Sequence, residues 1–300
     1  MMAGFKKVDK PTVKKLPVEV DIPEYIAGFG KQKDASNRDK AIGDLTLTGF
    51  YYLLRVGEYT MKARTRNTKC SPSVPVESDN AKQTVTFRVC DVTFFKKDHK
   101  GRLRQLPRNA PEEDIMTADS ATLKLTNQKN GWKGVCINHH ANGDSYLCPV
   151  RGLGRRVLHI REHTTGETTG KTELCAYYED GVRFDVTDED IRQSLKFAAK
   201  RLDYPERGIP IERVDTHSLR AGGANALSLA GYSDREIQKM GRWRSDTFKE
   251  YICAELSDFS KGMSKDMKKV LNFVNIEGGV FHDVTRHAIN SPYDNATGAA

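Results

Sequence analysis

A histidine and an arginine three residues apart, in Thr216-His217-Ser218-Leu219-Arg220, carry the first chemistry in this chain. On a helix, positions i and i+3 project from nearly one face, so the His217 imidazole and the Arg220 guanidinium can meet a single phosphate. The guanidinium fork suits two phosphate oxygens, while the imidazole bonds a third or accepts a proton. The spacing alone is weak, because His99 and Arg102 repeat it in a loop that carries no assigned chemistry. The six cysteines (Cys70, Cys90, Cys136, Cys148, Cys175 and Cys253) form no C-x-x-C pair and read as reduced, mostly buried thiols of an intracellular protein. His139-His140 has no carboxylate or cysteine at helical spacing beside it, and reads as a solvated loop pair. There is no G-x-x-x-x-G-K-[ST], so ATP-driven chemistry has no support.

Composition narrows the class further. The 300 residues carry 48 Lys and Arg against 40 Asp and Glu, a net charge of +8, which raises the odds of a polyanionic partner. No window reaches the roughly 18 consecutive apolar residues that a membrane span needs. The first 18 residues are lysine-rich and lack an apolar stretch, unlike a secretory signal. These features exclude a membrane protein and argue against a secreted one. The lysines over 6–15 read equally as a flexible arm or a localisation signal.

The elements that must position the candidate residues follow from periodicity. Residues 1–36 have little, and read as an arm or linker remnant. Asn37 caps an expected helix over 37–61 with Ile42, Leu45, Phe50, Leu53 and Leu54 on its apolar face. Alternation over 84–95 predicts a strand, bulged near Cys90, followed by a turn-rich loop over 96–108 with six Lys/Arg against one Asp. Two short runs, 121–126 and 133–138, flank Asn127-Gln128-Lys129-Asn130-Gly131 and predict a hairpin. Pro149 opens an expected helix to 163, and Thr187 with Asp190 caps a helix carrying Ile191, Leu195, Ala198 and Leu202. A helix over 217–229 holds Gly222-Gly223, which implies a close backbone approach. Ser233 and Glu236 box a short helix ending at Gly241, and Ser245 opens another with Phe248, Tyr251 and Ile252. An apolar stripe from Phe259 to Val274 predicts a last helix, and residues 277–300 read as a loosely ordered tail. The sum is an α+β, mainly helical domain with a small three-stranded antiparallel sheet.

The run Gly241-Arg242-Trp243-Arg244-Ser245-Asp246-Thr247-Phe248-Lys249-Glu250-Tyr251-Ile252, together with His217 and Arg220, resembles the C-terminal signature of the tyrosine recombinase (phage integrase) family. That signature is H-x-x-R, then Gly with His or Trp nearby, then a nucleophilic Tyr. Upstream, Leu53-Leu54-Arg55-Val56-Gly57-Glu58 looks like the family's first-arginine box, L-R-x-G-E, and Lys129 at a hairpin tip matches its mobile lysine. The resemblance spans roughly 44–252 and implies a catalytic domain over 37–276. With Leu147-Cys148-Pro149-Val150, the Gly-Arg-Trp box is similar to recombinases of DIRS-type or Crypton-like eukaryotic mobile elements.

Carried onto these residues, the resemblance implies that Tyr251 attacks a DNA phosphate and forms a 3′-phosphotyrosine link without ATP or metal. Arg55 and Arg220 would stabilise the transition-state charge, Lys129 would protonate the leaving 5′ oxygen, and His217 would hold the phosphate and handle the tyrosine proton. Trp243 would donate its indole N–H to the phosphate, and Glu58 would orient Arg55. Without the family order, Tyr251 and Trp243 read as core aromatics and Arg55 as a helix-end cation paired with Glu58. Trp243 stands where many members have His, and lies eight residues before Tyr251, one fewer than the commonest pattern. Too few residues precede the first-arginine helix for the family's helical core-binding domain, so a catalytic module or fragment is expected. The partners implied are double-stranded DNA and further copies of the chain in a tetrameric synapse; no cofactor is implied, and a nuclear location follows for a eukaryotic element. Lys96, Lys97, Lys100, Arg102 and Arg104 are candidate DNA-backbone contacts, as are Arg151, Arg155, Arg156 and Arg161, which fit a solvated basic face equally well. The competing readings are a non-catalytic DNA-binding protein derived from a mobile element and a type IB topoisomerase-like relaxing enzyme.

Overall fold

Helix α2 (Asn37–Tyr51) is buried on all sides from Ala41 to Phe50, and the other elements form the shell around it. The computed structural model describes residues 15–63, 84–126, 134–243, 245 and 249. Ser36 caps α2 by accepting the Asp39 N–H at 3.0 Å. Its polar residues are satisfied within the core: Thr46 and Thr48 hydroxyls donate to the carbonyls of Ile42 and Asp44, at 2.7 and 2.8 Å. Asp44, 1% exposed, accepts from Arg155 Nε at 2.8 Å.

Residues 15–36 depart from the expected arm. Helix α1 (Asp21–Gly30) buries Ile22, Pro23, Ile26 and Ala27, and crosses α2 where Gly43 lets the Ala27 backbone approach; a Cβ at 43 would lie 2.8 Å from Ala27 Cα. Its apolar positions are only a few residues long and hold a proline and two glycines, which masked the helical period.

The expected helix over 37–61 is broken. Leu53 takes a left-handed conformation (φ 49°), the chain turns, and a short helix α3 (Val56–Tyr59) follows. The predicted strand over 84–95 is shorter than expected. A single 3-10 turn at Val89–Asp91 precedes strand β1 (Val92–Lys97), which the basic segment then extends into a hairpin with β2 (Leu103–Gln105). After α4 (Glu112–Met116), β3 (Ser120–Lys124) and β4 (Cys136–His140) complete a four-stranded antiparallel sheet in the order β2-β1-β3-β4, one strand more than expected. Its inner face carries Phe94 opposite Ala121 and Leu123 opposite Ile137, as period-two alternation requires. His139 also lies on that face, with Nε2 2.6 Å from the Tyr51 carbonyl oxygen and its ring against Tyr52, so it is no solvated loop residue.

Helix α5 (Pro149–His163) matches its expected range, and a short α6 (Gly166–Lys171) follows. Strands β5 (Ala176–Glu179) and β6 (Val182–Asp185) form a separate two-stranded hairpin around Asp180-Gly181, both at positive φ. Helices α7 (Asp188–Arg201), α8 (Thr216–Leu229) and α9 (Asp234–Gly241) carry the capping residues Thr187, Asp215 and Ser233. Gly222 and Gly223 of α8 do pack closely, against the carbonyls of Val18 and Phe50. The expected helices after Ser245 and over 259–274 lie outside the described residues. No helix among the described residues is long and apolar enough to cross a membrane.

One buried contact gives the fold a pH signature. His159 on α5 accepts the Tyr178 N–H at Nε2 (3.0 Å), and burial together with Arg156 lowers its pKa from 6.5 to about 4. The unfolded chain therefore takes up a proton below pH 6.5 that the folded chain refuses until about pH 4. We expect the melting temperature to fall as the pH drops through this window, and His159→Gln to remove that component of the slope. A parallel pH profile in the variant would contradict the assignment.

Candidate active site

The C-terminal end of α2 presents carbonyls with no helical N–H to receive, at the negative end of the helix dipole. The N–H groups of Tyr52, Leu53 and Leu54 close those of Thr48, Phe50 and Gly49, and His139 lies against that of Tyr51. Two arginines from distant segments take the next two, of Tyr52 and Leu53. Arg220, on α8, donates through Nη1 to the Leu53 carbonyl at 3.1 Å and through Nη2 to the Gly241 carbonyl. Arg242, the residue after α9, donates to the carbonyls of Tyr52 (3.3 Å) and Leu53 (3.1 Å). Each is 2% exposed. The left-handed turn at Leu53, which costs an ordinary residue about 1 kcal/mol or more, aims that carbonyl at both guanidinia.

The turn also delivers the first-arginine box. The box lies in the break between α2 and α3 rather than at the end of a helix as expected, and Arg55 is the N-terminal cap of α3. Glu58 Oε2 accepts the Arg55 backbone N–H at 3.0 Å, and Oε1 pairs with the Arg55 guanidinium at 3.2 Å. The expected pairing of Glu58 with Arg55 is thus in place. The same carboxylate, fully buried, also accepts from Arg242 at 2.9 Å. Burial lowers the Arg242 pKa, Glu58 draws it back up and Arg55 adds to the lowering.

His217 sits in the first turn of α8, after its Asp215 cap, and its side chain reaches solvent. Desolvation by the surrounding walls lowers its pKa below 6.5; the charges of Arg220 and then Arg55 lower it further, and Asp215 opposes them. His217 and Arg220 lie one turn apart on α8, and Arg220 bonds the Leu53 carbonyl of the turn that carries Arg55. Trp243 lies over Gly241, where a Cβ would run into the ring, and packs with Ala224, Leu227 and Ile237. The Arg220 guanidinium stacks 4.5 Å from its centroid.

Among the described residues the site therefore holds three guanidinia against the Glu58 carboxylate, with Asp215 at its edge paired to Arg192 at 3.1 Å. That excess of positive charge in a partly desolvated place is matched by an anion with several oxygens, which is the chemistry of a phosphate. Arg55 and His217 are its open members, while Arg220 lies beneath them. Arg242 went unrecognised in the sequence, since an arginine after a helix-ending glycine carries no pattern. Lys129 and Tyr251 lie outside the described residues.

The other basic candidates behave differently. Lys96 and Arg104 face each other across β1 and β2, and each has its own acid: Lys96 bonds Asp114 at 2.8 Å, Arg104 bonds Asp98 at 3.1 Å. Asp98 also pairs with Arg102 at 3.3 Å and accepts the Lys100 backbone N–H. These pairs are solvent-exposed and exchangeable, as is Lys97, whose backbone N–H is held by Asp119. The four α5 arginines are neither a solvated face nor open contacts. Arg151 and Arg161 donate to the carbonyls of Ala118 (2.7 Å) and Ala110 (3.0 Å), Arg155 binds Asp44, and Arg156 is buried on the carbonyls of Leu174 and Ala176.

One group of metal-ligating types gathers among the described residues, His159, Glu162 and His163. Because His159 Nε2 accepts a backbone N–H, its proton is on Nδ1, and the ring offers no lone pair. Two donors remain, short of the four of a structural zinc site. Removing the shared carboxylate should be felt through the fold: Glu58→Gln leaves Arg242 buried without its counter-charge, and we expect it to cost about 3 kcal/mol in denaturant unfolding. Arg104→Ala, which breaks an exposed pair, should cost about 0.5 kcal/mol or less. Equal losses would contradict this ranking.

No family model matches the chain, and no curated protein matches it. Among solved structures it is similar to that of the Tn1549 transposon integrase in complex with transposon right-end DNA, at 14% identity over 87% of this chain and 68% of that one, with a TM-score of 0.41. It is likewise similar to the same integrase in complex with circular intermediate DNA, at 12% identity over 86% and 69% of the two chains, with a TM-score of 0.41.

Proposed function

We propose that this chain is a tyrosine recombinase catalytic domain, over 37–276 with α1 packed onto it, that cleaves and rejoins DNA through Tyr251. One observation supports this above the rest. Arg55, His217, Arg220 and Trp243, whose order in the sequence resembles the family signature, gather from three separate segments around the end of α2 into a site with excess positive charge. Strands β3 and β4, which flank the segment carrying Lys129, pack onto Tyr52 of the same turn through His139 and the Ala121 carbonyl.

In this reading the Tyr251 oxygen attacks a backbone phosphorus and the bond to the 5′ oxygen breaks. The protein is left joined to the 3′ phosphate, and the departing oxygen takes a proton from Lys129. The linkage keeps the bond energy of the phosphodiester, so a 5′ hydroxyl reseals the strand by the reverse step. Arg55 and Arg220 bear the charge that builds on the phosphoryl oxygens. His217, neutral at pH 7, accepts the tyrosine proton. The substrate is double-stranded DNA, met along its backbone by Lys96, Lys97, Lys100, Arg102 and Arg104, with further copies of the chain completing a tetrameric synapse. The mobile-element subgroup, DIRS-type or Crypton-like, and a nuclear location belong to the same proposal and rest on the sequence boxes alone.

The test is covalent trapping on nicked suicide duplexes. We expect SDS-resistant protein–DNA adducts from the parent chain, none from Tyr251→Phe, and a loss of about 100-fold in Arg220→Ala. Adducts that persist in Tyr251→Phe would contradict the assignment. Tight DNA binding with no adduct on any duplex would favour a non-catalytic DNA-binding protein, and relaxation without exchange between sites would favour a topoisomerase. Because the His217 pKa lies below 6.5, the acid limb of the trapping rate should fall below that pH as well. An acid limb that persists unchanged in His217→Asn would overturn the proton-accepting role.

A further inference from the structure

Arg242 occupies a left-handed backbone position (φ 58°) at the end of α9, where glycine is the usual residue. A group that only capped helix ends would need carbonyls alone. Arg242 has those of Tyr52 and Leu53, yet its Nη2 also reaches Glu58 Oε2, the same oxygen that accepts the Arg55 backbone N–H. With two donors on Oε2, the carboxylate plane is fixed, and Oε1 has a single direction left, toward the Arg55 guanidinium at 3.2 Å. Through that same Nη2, Arg242 shares the Leu53 carbonyl with Arg220 Nη1, while its Nη1 takes the Tyr52 carbonyl.

We propose that Arg242 is a positioning residue of the strand-cleaving site: it orients Arg55 through Glu58 and Arg220 through the Leu53 carbonyl, and it does not touch the DNA. The inference rests on the proposed function for its catalytic consequence. Its structural half stands separately, because it concerns how Arg55 is held. Lysine cannot replace it, since one ammonium lacks the planar fork that spans two carbonyls and a carboxylate while keeping the charge.

The experiment uses the full chain with Arg242→Lys, Glu58→Gln and their combination. Two readouts are taken: the rate of adduct formation at saturating nicked duplex, and the Nε–Hε signal of Arg55 in 15N NMR, assigned with Arg55→Lys. We expect Arg242→Lys to slow adduct formation about 100-fold with DNA affinity within about twofold of the parent, since misplacement acts on the chemical step. The double variant should be no slower than Glu58→Gln, and the Arg55 signal, sharp in the parent, should broaden in each single variant. Should Arg242→Lys fail to fold, Arg242→Gly, which relieves the left-handed backbone, is read in the same way. A parental rate, a rate loss that multiplies in the double variant, or an unchanged Arg55 signal would overturn the proposal. If the parent forms no adduct while the Arg55 signal broadens as expected, the positioning stands and the recombinase reading fails.

Discussion

Everything at the candidate site depends on how the C-terminal end of one buried helix is closed. Helix α2 cannot leave its last carbonyls to water, because strands, α1, α5, α7 and α8 surround it. Nor does it end in a glycine cap. Its last turn is closed by the N–H groups of Tyr52, Leu53 and Leu54. The next two carbonyls, of Tyr52 and Leu53, are met by the guanidinium groups of Arg220 and Arg242, and the buried Arg242 then calls for the buried Glu58 carboxylate. Arg55 joins Arg242 as a second guanidinium on that acid. The requirement that buried polar groups be paired therefore brings together residues 53–58, 220 and 242.

The same device recurs in α5. Its arginines donate into carbonyls of strand and loop segments, tying Ala110, Ala118, Leu174 and Ala176 to the helix. A guanidinium has five donors and a long stem, so it can close gaps between elements that backbone hydrogen bonds cannot span. A large share of the basic excess in this sequence is thus inside or along the fold. Among the described residues, positive charge for a polyanion remains at the partly exposed Arg55 and on the exposed β1–β2 hairpin.

What the sequence revealed follows from the range of the forces involved. Helices α5, α7, α8 and α9 were legible because Pro149, Thr187-Asp190 and Ser233-Glu236 are local start signals and apolar positions recur with them. The break at Leu53 was not, because a leucine rather than a glycine takes the left-handed position that closes the helix, and the guanidinia on its carbonyl come from some 170 and 190 positions away. The β1–β2 hairpin was hidden by charge: Lys96 opposite Arg104 looks unfavourable until Asp114 and Asp98 are seen beside them. The β5–β6 hairpin carries a readable local signal, Asp180-Gly181 between short runs with aromatic residues. Within the site, the residue types of Arg55, Glu58, His217, Arg220 and Trp243 were visible by motif order. Arg242 was not, since its function comes wholly from contacts across the fold.

The proposed reaction requires Arg55, His217 and Arg220 to gather on one DNA phosphate within reach of Tyr251. The most direct measurement is a crystal structure of the chain with a nicked duplex and orthovanadate, which joins a tyrosine oxygen and a 5′ oxygen in a mimic of the transferring phosphoryl group. We expect vanadium bonded to the Tyr251 oxygen, with its equatorial oxygens hydrogen-bonded to Arg55, Arg220 and His217. Duplex DNA bound elsewhere on the protein, or vanadate held without Arg55 and His217, would contradict it.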